Sequence, residues 1–146
     1  MIKSWRNELF KPHSQKELTP NPLGFPMSQS QGQRIVGVCC RTWNRWEQVA
    51  LLQIPEYKLT QIQLKGLAKQ RGIPDQAIPI VPYQVWVIGK IGEYFGLLKN
   101  GTRKVWIVEE NVKRYLDGFT REAYLNEQER FTKKIIEDNL CSHFPN

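Results

Sequence analysis

The chain has 146 residues, of which 40% are hydrophobic, and its formal net charge is +7. This length is close to the commonest size of a single domain, and the hydrophobic fraction is sufficient for one packed core, which excludes global disorder. No apolar run approaches the roughly 20 residues of a membrane span, and the N-terminus lacks the apolar stretch typical of a signal peptide, so we expect no membrane partner and a cytoplasmic location.

The positive charge is concentrated in the middle of the chain. Residues 34–108 carry eleven basic and four acidic groups, whereas residues 109–146 carry six basic and eight acidic groups. A basic segment of this kind is suited to a polyanion. The charge distribution therefore directs the search for a binding surface to residues 34–108.

The three cysteines are Cys39, Cys40 and Cys141. An odd number without metal-ligand spacing argues against both a disulfide framework and a tetrahedral metal site. We expect reduced thiols, no metal and no cofactor.

Residues 1–33 have a composition that resists regular structure, because they contain four prolines and a polar run that ends at Gln33. We expect an extended, proline-rich arm over 1–33 and a single α+β domain over 34–146. A short helix around Ser4 to Phe10 is an alternative for the start of the arm. The arm carries apolar side chains that we expect to dock on a protein partner or on a second copy of the chain. These anchors are Trp5, Leu9, Phe10, Leu23 and Phe25.

Two β-rich runs, Arg34 to Thr42 and Arg45 to Ile54, flank the dipeptide Trp43-Asn44 and predict a first β-hairpin. A helix follows, for which Thr60 is a favourable N-cap and Gly72 marks the end. The prolines of residues 73–82 then predict an extended connector.

A second hairpin is predicted around Asn100-Gly101, which is a favoured two-residue turn. Its strands would be Gln84 to Lys99 and Thr102 to Val108. Three glycines in the first of these runs are typical of bulges in a small curled barrel. The alternative is a short helix over Lys90 to Leu97.

Two helices complete the predicted fold. One begins at Glu109 and runs to Gly118, and the other begins after Thr120, which is a candidate N-cap. The sequence thus predicts an α+β fold, with an antiparallel sheet of two hairpins, one helix between them and two C-terminal helices.

The stretch from Thr102 to Leu116 resembles the hairpin and last helix of excisionase-type winged helices, over about a tenth of the chain. In those proteins a helix-turn-helix comes first. The corresponding candidate here is Leu59 to Ile73, but a proline-rich connector follows it where a recognition helix should continue. The resemblance is therefore local.

The sequence contains no recognisable catalytic motif, so we expect no enzyme. The two histidines, His13 and His143, lie in the arm and three residues before the C-terminal residue, which are poor positions for a rigid acid or base. A magnesium-dependent nuclease site would have to combine Glu47 or Glu93 with Lys90. A lone carboxylate and lysine at arbitrary spacing do not favour that chemistry.

Basic and aromatic residues occur together at the first predicted hairpin tip, and basic residues surround the turn of the second and line the helix between them. Cations neutralise phosphates, and exposed aromatic rings stack on bases at about 1–3 kcal/mol per base. The predicted nucleic-acid-binding residues are Arg41, Trp43, Arg45, Trp46, Lys65, Lys69, Arg71, Lys99, Arg103 and Lys104. The competing interpretation is an ordinary solvated helix face, with Trp43 and Trp46 in the core.

Two hypotheses for the function follow. The first is a non-enzymatic nucleic-acid-binding module, and it rests on the basic middle segment. The alternative is a small structural or assembly subunit of a large complex, for example a virion, whose N-terminal arm docks on a neighbouring subunit.

Overall fold

The computed structural model describes residues 5–10, 26–96 and 104–143. Within these residues the regular structure is helical, and the β-structure consists of one isolated antiparallel bridge between Met27 and Ile80. The predicted α+β fold, with its sheet of two hairpins and its possible curled barrel, is therefore wrong.

Seven α-helices and two short 3-10 helices follow one another in the described residues. The α-helices are α1 (Trp5–Leu9), α2 (Gln29–Val36), α3 (Cys40–Gln53), α4 (Pro55–Gln70), α5 (Pro82–Tyr94), α6 (Val105–Arg114) and α7 (Arg121–His143). The 3-10 helices, Asp75–Ala77 and Leu116–Phe119, precede α5 and α7. None of the described helices combines the length and the apolar character that crossing a bilayer requires.

Helix α5 is the centre of the bundle, since it packs against each of the other six helices. Ten of its residues are buried, including every residue from Pro82 to Gly89. Pro82 occupies the first turn, where its missing N–H costs nothing, and the Gln84 side chain accepts a hydrogen bond from the backbone N–H of Val81 at 3.0 Å. A helix that is apolar on all sides belongs in the core of a bundle.

Two tryptophans lie directly on glycines of α5. A Cβ atom added to Gly89 would lie 2.7 Å from the indole of Trp5, and one added to Gly92 would lie 2.5 Å from the indole of Trp46. Both indoles are buried. These glycines therefore permit the close approach of α1 and α3 to α5, and the predicted strand bulges are wrong.

The first predicted hairpin is replaced by the end of α2 and by α3. The buried residues of α3 are Trp43, Trp46, Val49 and Ala50. These intervals of three and four residues are the period of a helix, whereas the alternation of a strand would also bury Arg45, which is exposed. The β-propensity of the run was therefore a weaker indicator than its period.

The second predicted hairpin fails for a different reason. Its turn, Asn100-Gly101, lies outside the described residues, but both flanking runs are largely helical, in α5 and α6. The valines and isoleucines of α5 favour strands by propensity, and burial on every side overrides that preference. The alternative prediction, a short helix over Lys90 to Leu97, is closer to the observed structure than the strand. The helix α5, however, begins at Pro82 and ends at Tyr94.

The helix predicted to end at Gly72 is confirmed as α4, because Gly72 follows it with a φ of 69°. Its predicted N-cap is wrong. The helix begins at Pro55, and Thr60 lies buried within it. A proline at the first helical position is favourable, so the same residue that ends α3 starts α4.

Both C-terminal helices are confirmed. Helix α6 begins at Val105, four residues before the predicted Glu109, and ends at Arg114. Helix α7 begins at Arg121, and the Thr120 hydroxyl accepts a hydrogen bond from the backbone N–H of Ala123 at 3.0 Å, as expected of an N-cap.

The predicted arm is not extended throughout. Helix α1 lies where the alternative placed a short helix, and α2 begins at Gln29, inside the predicted arm. The apolar residues of the arm's start, Trp5, Leu9 and Phe10, are buried in the chain's own core. Residues 11–25 lie outside the described residues.

Replacing Gly92 with Ala should destabilise the fold, because the new methyl group collides with the Trp46 indole. Overpacking of this kind costs about 1–3 kcal/mol. Gly66→Ala is the matched control, since the Gly66 Cβ position on α4 is open, and this change should add about 0.5–1 kcal/mol of stability. Urea unfolding of the wild type and the two variants measures the free energy of unfolding, which should fall for Gly92→Ala and rise for Gly66→Ala. A Gly92→Ala protein as stable as the wild type would contradict the packing described above.

Candidate nucleic-acid interface

The outer side of α4 displays a row of cations. Three exposed lysines lie on one flank of this helix: Lys58, Lys65 and Lys69. At about 100° per residue they fall within a sector of about 40°, and the rise of about 1.5 Å per residue makes the row about 16 Å long. We refer to these three residues as the lysine row.

The inner side of α4 fixes the direction in which the lysine row points. Tyr57, Thr60 and Ala68 are buried there, and the Tyr57 hydroxyl donates a hydrogen bond to Glu47 of α3 at 2.6 Å. Burial, together with the negative charge of Glu47, raises the pKa of Tyr57 well above its ordinary value. The phenol therefore remains protonated and remains a donor.

Arg121, at the start of α7, forms hydrogen bonds that attach α7 to α4. Its guanidinium donates to the hydroxyl of Thr60 at 2.7 Å and to the side-chain oxygen of Gln63 at 2.9 Å. The backbone N–H of Arg121 donates to the Glu56 carboxylate at 3.2 Å. Thr60 thus anchors α4 through its side chain from within the helix.

Among the described residues, no carboxylate forms an ion pair with the cations on the outer side of α4. Glu56 is the acidic residue of α4, and its carboxylate is held by Arg121. Within the described residues neither the lysine row nor Arg71 forms an ion pair. Four basic groups on and just after one helix are therefore free to meet an external anion.

Two further predicted cations lie on α3. Arg41 and Arg45 are exposed and stand four residues apart, so they share one face of the helix. The Arg45 guanidinium lies 5.1 Å from the centroid of the Phe95 ring, and that ring stacks on Trp46 at 6.1 Å. Arg45 is therefore positioned by the core beneath it.

The two predicted stacking residues are core residues. Trp43 is 0% exposed and Trp46 is 4% exposed, so neither ring presents a face to a base. The competing interpretation of the sequence was the right one for both side chains. The signal that identifies them as core is their spacing with Val49 and Ala50.

The third predicted element is described only in part. Lys104 is exposed immediately before α6, whereas Lys99 and Arg103 lie outside the described residues. Sequence reasoning missed Trp106, which is 64% exposed. The exposure of Trp106 could have been inferred from the helical period of α6, because Val108 and Val112 define the buried side and Trp106 lies on the opposite side.

A second polar cluster joins α1, α5 and α7. Arg6 donates to the two carboxylate oxygens of Glu93 at 2.5 and 3.0 Å and to Glu127 at 3.3 Å. The indole N–H of Trp86 also donates to Glu127. Burial alone would lower the pKa of Arg6, but the hydrogen bond and charge of Glu93 raise it. The groups satisfy one another, so the cluster fastens α1 to the core.

Lys90 lies beside this cluster and has a structural role. Its ammonium group donates to the carbonyl of Gly118 and lies 4.4 Å from the centroid of Trp86 and 4.6 Å from that of Phe119. Burial lowers the pKa of Lys90. Lys90 and Glu93 are therefore both engaged in contacts within the fold.

A polar cleft lies between α4 and the connector before α5. Its walls include Glu47, Lys65, Asp75 and Gln84, and its volume is about 60 Å³. Sites for drug-sized molecules usually measure about 300–1,000 Å³. This cleft has room for a few water molecules. Across residues 5–10, 26–96 and 104–143, no group of three or more metal-ligating side chains comes together.

Two free and exposed thiols lie at the N-terminus of α3: Cys39, which is the N-cap residue, and Cys40, which is the first residue of the helix. The Sγ atom of Cys39 lies 3.4 Å from the hydroxyl oxygen of Thr42. The hydrogen bond with the Thr42 side chain, followed by that with the Thr42 backbone, lowers the pKa of the Cys39 thiol. The thiolate is the nucleophilic form, so Cys39 should be a reactive group.

In a protein whose other cysteines are replaced by serine, the pH midpoint for alkylation of Cys39 by iodoacetamide should lie below that of an ordinary thiol. Thr42→Val should raise this midpoint, because it removes the hydrogen bond that favours the thiolate. Thr132→Val, an exposed site on α7, is the matched control and should leave it unchanged. Equal midpoints in the two valine variants would show that Thr42 has no such role.

The fold and its surface define a small helical domain with a buried central helix and a basic outer face on α3 and α4. The chain matches no protein-family model, no curated protein and no solved structure. The functional argument therefore rests on the surface itself.

Proposed function

We propose that this protein is a non-enzymatic nucleic-acid-binding module that contacts phosphates through the lysine row. The observation that carries the proposal is the alignment of Lys58, Lys65 and Lys69 on one exposed flank of α4, with no ion-pair partner among the described residues. Unpaired surface cations in a line are suited to a polyanion, which offers many charges along one direction.

The dimensions of the row support this assignment. Duplex DNA carries one negative charge per about 1.7 Å of its axis when both strands are counted, so a row of about 16 Å spans a length of duplex that carries about ten charges. Each lysine that neutralises a phosphate releases counterions, which supplies affinity without reading the base sequence. The lysine row therefore favours a nucleic acid that is recognised through its phosphate backbone and not through its bases.

Other cations extend the proposed surface. Arg71 follows α4, Arg41 and Arg45 lie on α3, and Lys104 lies before α6, all of them exposed. Lys99 and Arg103 remain part of the proposal from the sequence alone. The buried Trp43 and Trp46 are left out of it.

The proposal includes a cytoplasmic location. The exposed, unpaired thiols of Cys39 and Cys40 support it, since thiols persist in reducing compartments.

The alternative, an assembly subunit that docks through its arm, has lost part of its support. Trp5, Leu9 and Phe10 are occupied by the chain's own core. Its remaining anchors, Leu23 and Phe25, lie outside the described residues. The nucleic-acid proposal is the stronger because its cations are exposed.

Replacing Lys65 and Lys69 with Ala should weaken binding to a labelled DNA duplex of 20 base pairs and to a labelled single strand of 20 nucleotides. Two lost phosphate contacts should reduce the slope of log affinity against log salt by about 1.8 on duplex and about 1.4 on a single strand. Fluorescence anisotropy measures both the affinity and the slope. The salt concentration is varied between about 50 and 200 mM, because affinity that rests on phosphate contacts falls steeply over that range.

The matched control removes the same charge elsewhere. Lys133 and Lys134 are exposed on α7, far along the chain from the row, and their replacement by Ala should change the slope much less. Equal losses for the two pairs would indicate a general effect of net charge and would remove the assignment of the row. No salt-dependent binding by the wild-type protein would remove the proposed function.

A further inference from the structure

The outermost side of α4 is apolar next to the lysine row. Leu59 is 46% exposed and Ile62 is 56% exposed, and Gly66 continues the same side with open space above it. At about 100° per residue these three positions fall within about 60° of one another. We refer to Leu59, Ile62 and Gly66 as the apolar ridge. Nothing in the described residues packs on the Gly66 position.

A second apolar surface lies where α3 meets α6. The Gln53 side chain donates to Glu109 at 3.2 Å, which joins the last turn of α3 to the middle of α6. Leu52, which precedes Gln53 in α3, is 70% exposed, and Val105 and Trp106, which lie one turn before Glu109 in α6, are 36% and 64% exposed. We refer to Leu52, Val105 and Trp106 as the α6 patch.

The charged side chains that border the two surfaces on their own helices differ in sign. The apolar ridge is bordered by the lysine row, whereas Glu109 and Glu110 lie one turn along α6 from Val105 and Trp106. Lys113 lies two turns from Trp106, and Lys104 falls on another side of the start of α6. The acids are therefore the charged side chains nearest to the exposed indole on its own helix.

We propose that the apolar ridge of one copy of this chain docks on the α6 patch of a second copy. Exposed leucine, isoleucine and tryptophan side chains are then covered, and lysines meet glutamates at the border. Contact between two ridges would bring two lysine rows together, and contact between two patches would bring four glutamates together. Like-charge repulsion disfavours both of those arrangements.

The contact joins two different surfaces, so it is heterologous. Each copy retains a free ridge or a free patch after one contact, and assembly continues unless the geometry closes a ring. This inference stands apart from the nucleic-acid proposal, because it concerns the protein in the absence of nucleic acid.

Sedimentation velocity of the nuclease-treated full chain at low salt tests the inference. The weight-average mass should rise with protein concentration. Lys65→Glu and Glu110→Lys should each weaken self-association at least about tenfold, because each puts like charges at the border. An equimolar mixture of the two variants should restore association, since the reversed charges again face opposite ones. Circular dichroism confirms that each variant is folded.

Apolar and charge controls separate the ridge from the rest of α4. Ile62→Ser should weaken self-association, whereas Leu67→Ser, which changes an exposed residue on another flank of the same helix, should not. Lys133→Glu on α7 provides the control for net charge. A wild-type protein that stays monomeric at every concentration would overturn the inference. So would variants that associate like the wild type, or a mixture that fails to restore association.

Discussion

The fit of two indoles onto two glycines of α5 determines how the rest of the molecule is arranged. Gly89 receives Trp5 and Gly92 receives Trp46, so α1 and α3 approach the central helix more closely than any side chain would allow. Once α3 is seated by Trp46, the short connection at Ile54 and Pro55 limits where α4 can run. The exposed faces of α3 and α4, which carry the proposed interfaces, are therefore a consequence of packing at α5.

The same packing sorts the charges. Three of the four acids in residues 34–108 accept hydrogen bonds from other parts of the chain: Glu47 from Tyr57, Glu56 from Arg121, and Glu93 from Arg6. The lysines of α4 make no such contacts within the described part of the chain. The cations of α3 and α4 therefore face fewer free acids than the composition of residues 34–108 indicates.

The sequence predicted the elements whose signals are local. Gly72 at the end of α4 and Thr120 at the start of α7 are examples, because a glycine with positive φ and an N-cap hydroxyl act within one turn. It did not predict α5, since a helix buried on every side has no apolar period and its valines and isoleucines resemble a strand. In the site, the exposed lysines could be recognised from the sequence, and the spacing of Trp43 and Trp46 with Val49 and Ala50 already indicated the core once the run was taken as a helix.

Helix α4 carries both proposed contacts, and their positions make them compete. The lysine row and the apolar ridge are adjacent on one helix, so a phosphate backbone lying on the row obstructs a second copy approaching the ridge. Salt weakens the contacts made by the row with either partner, because both involve exposed charges. The apolar part of the self-contact is less sensitive to salt, since burial of Leu59 and Ile62 does not depend on charge. If both proposed contacts form, rising ionic strength should therefore shift the balance on α4 from nucleic acid toward self-association.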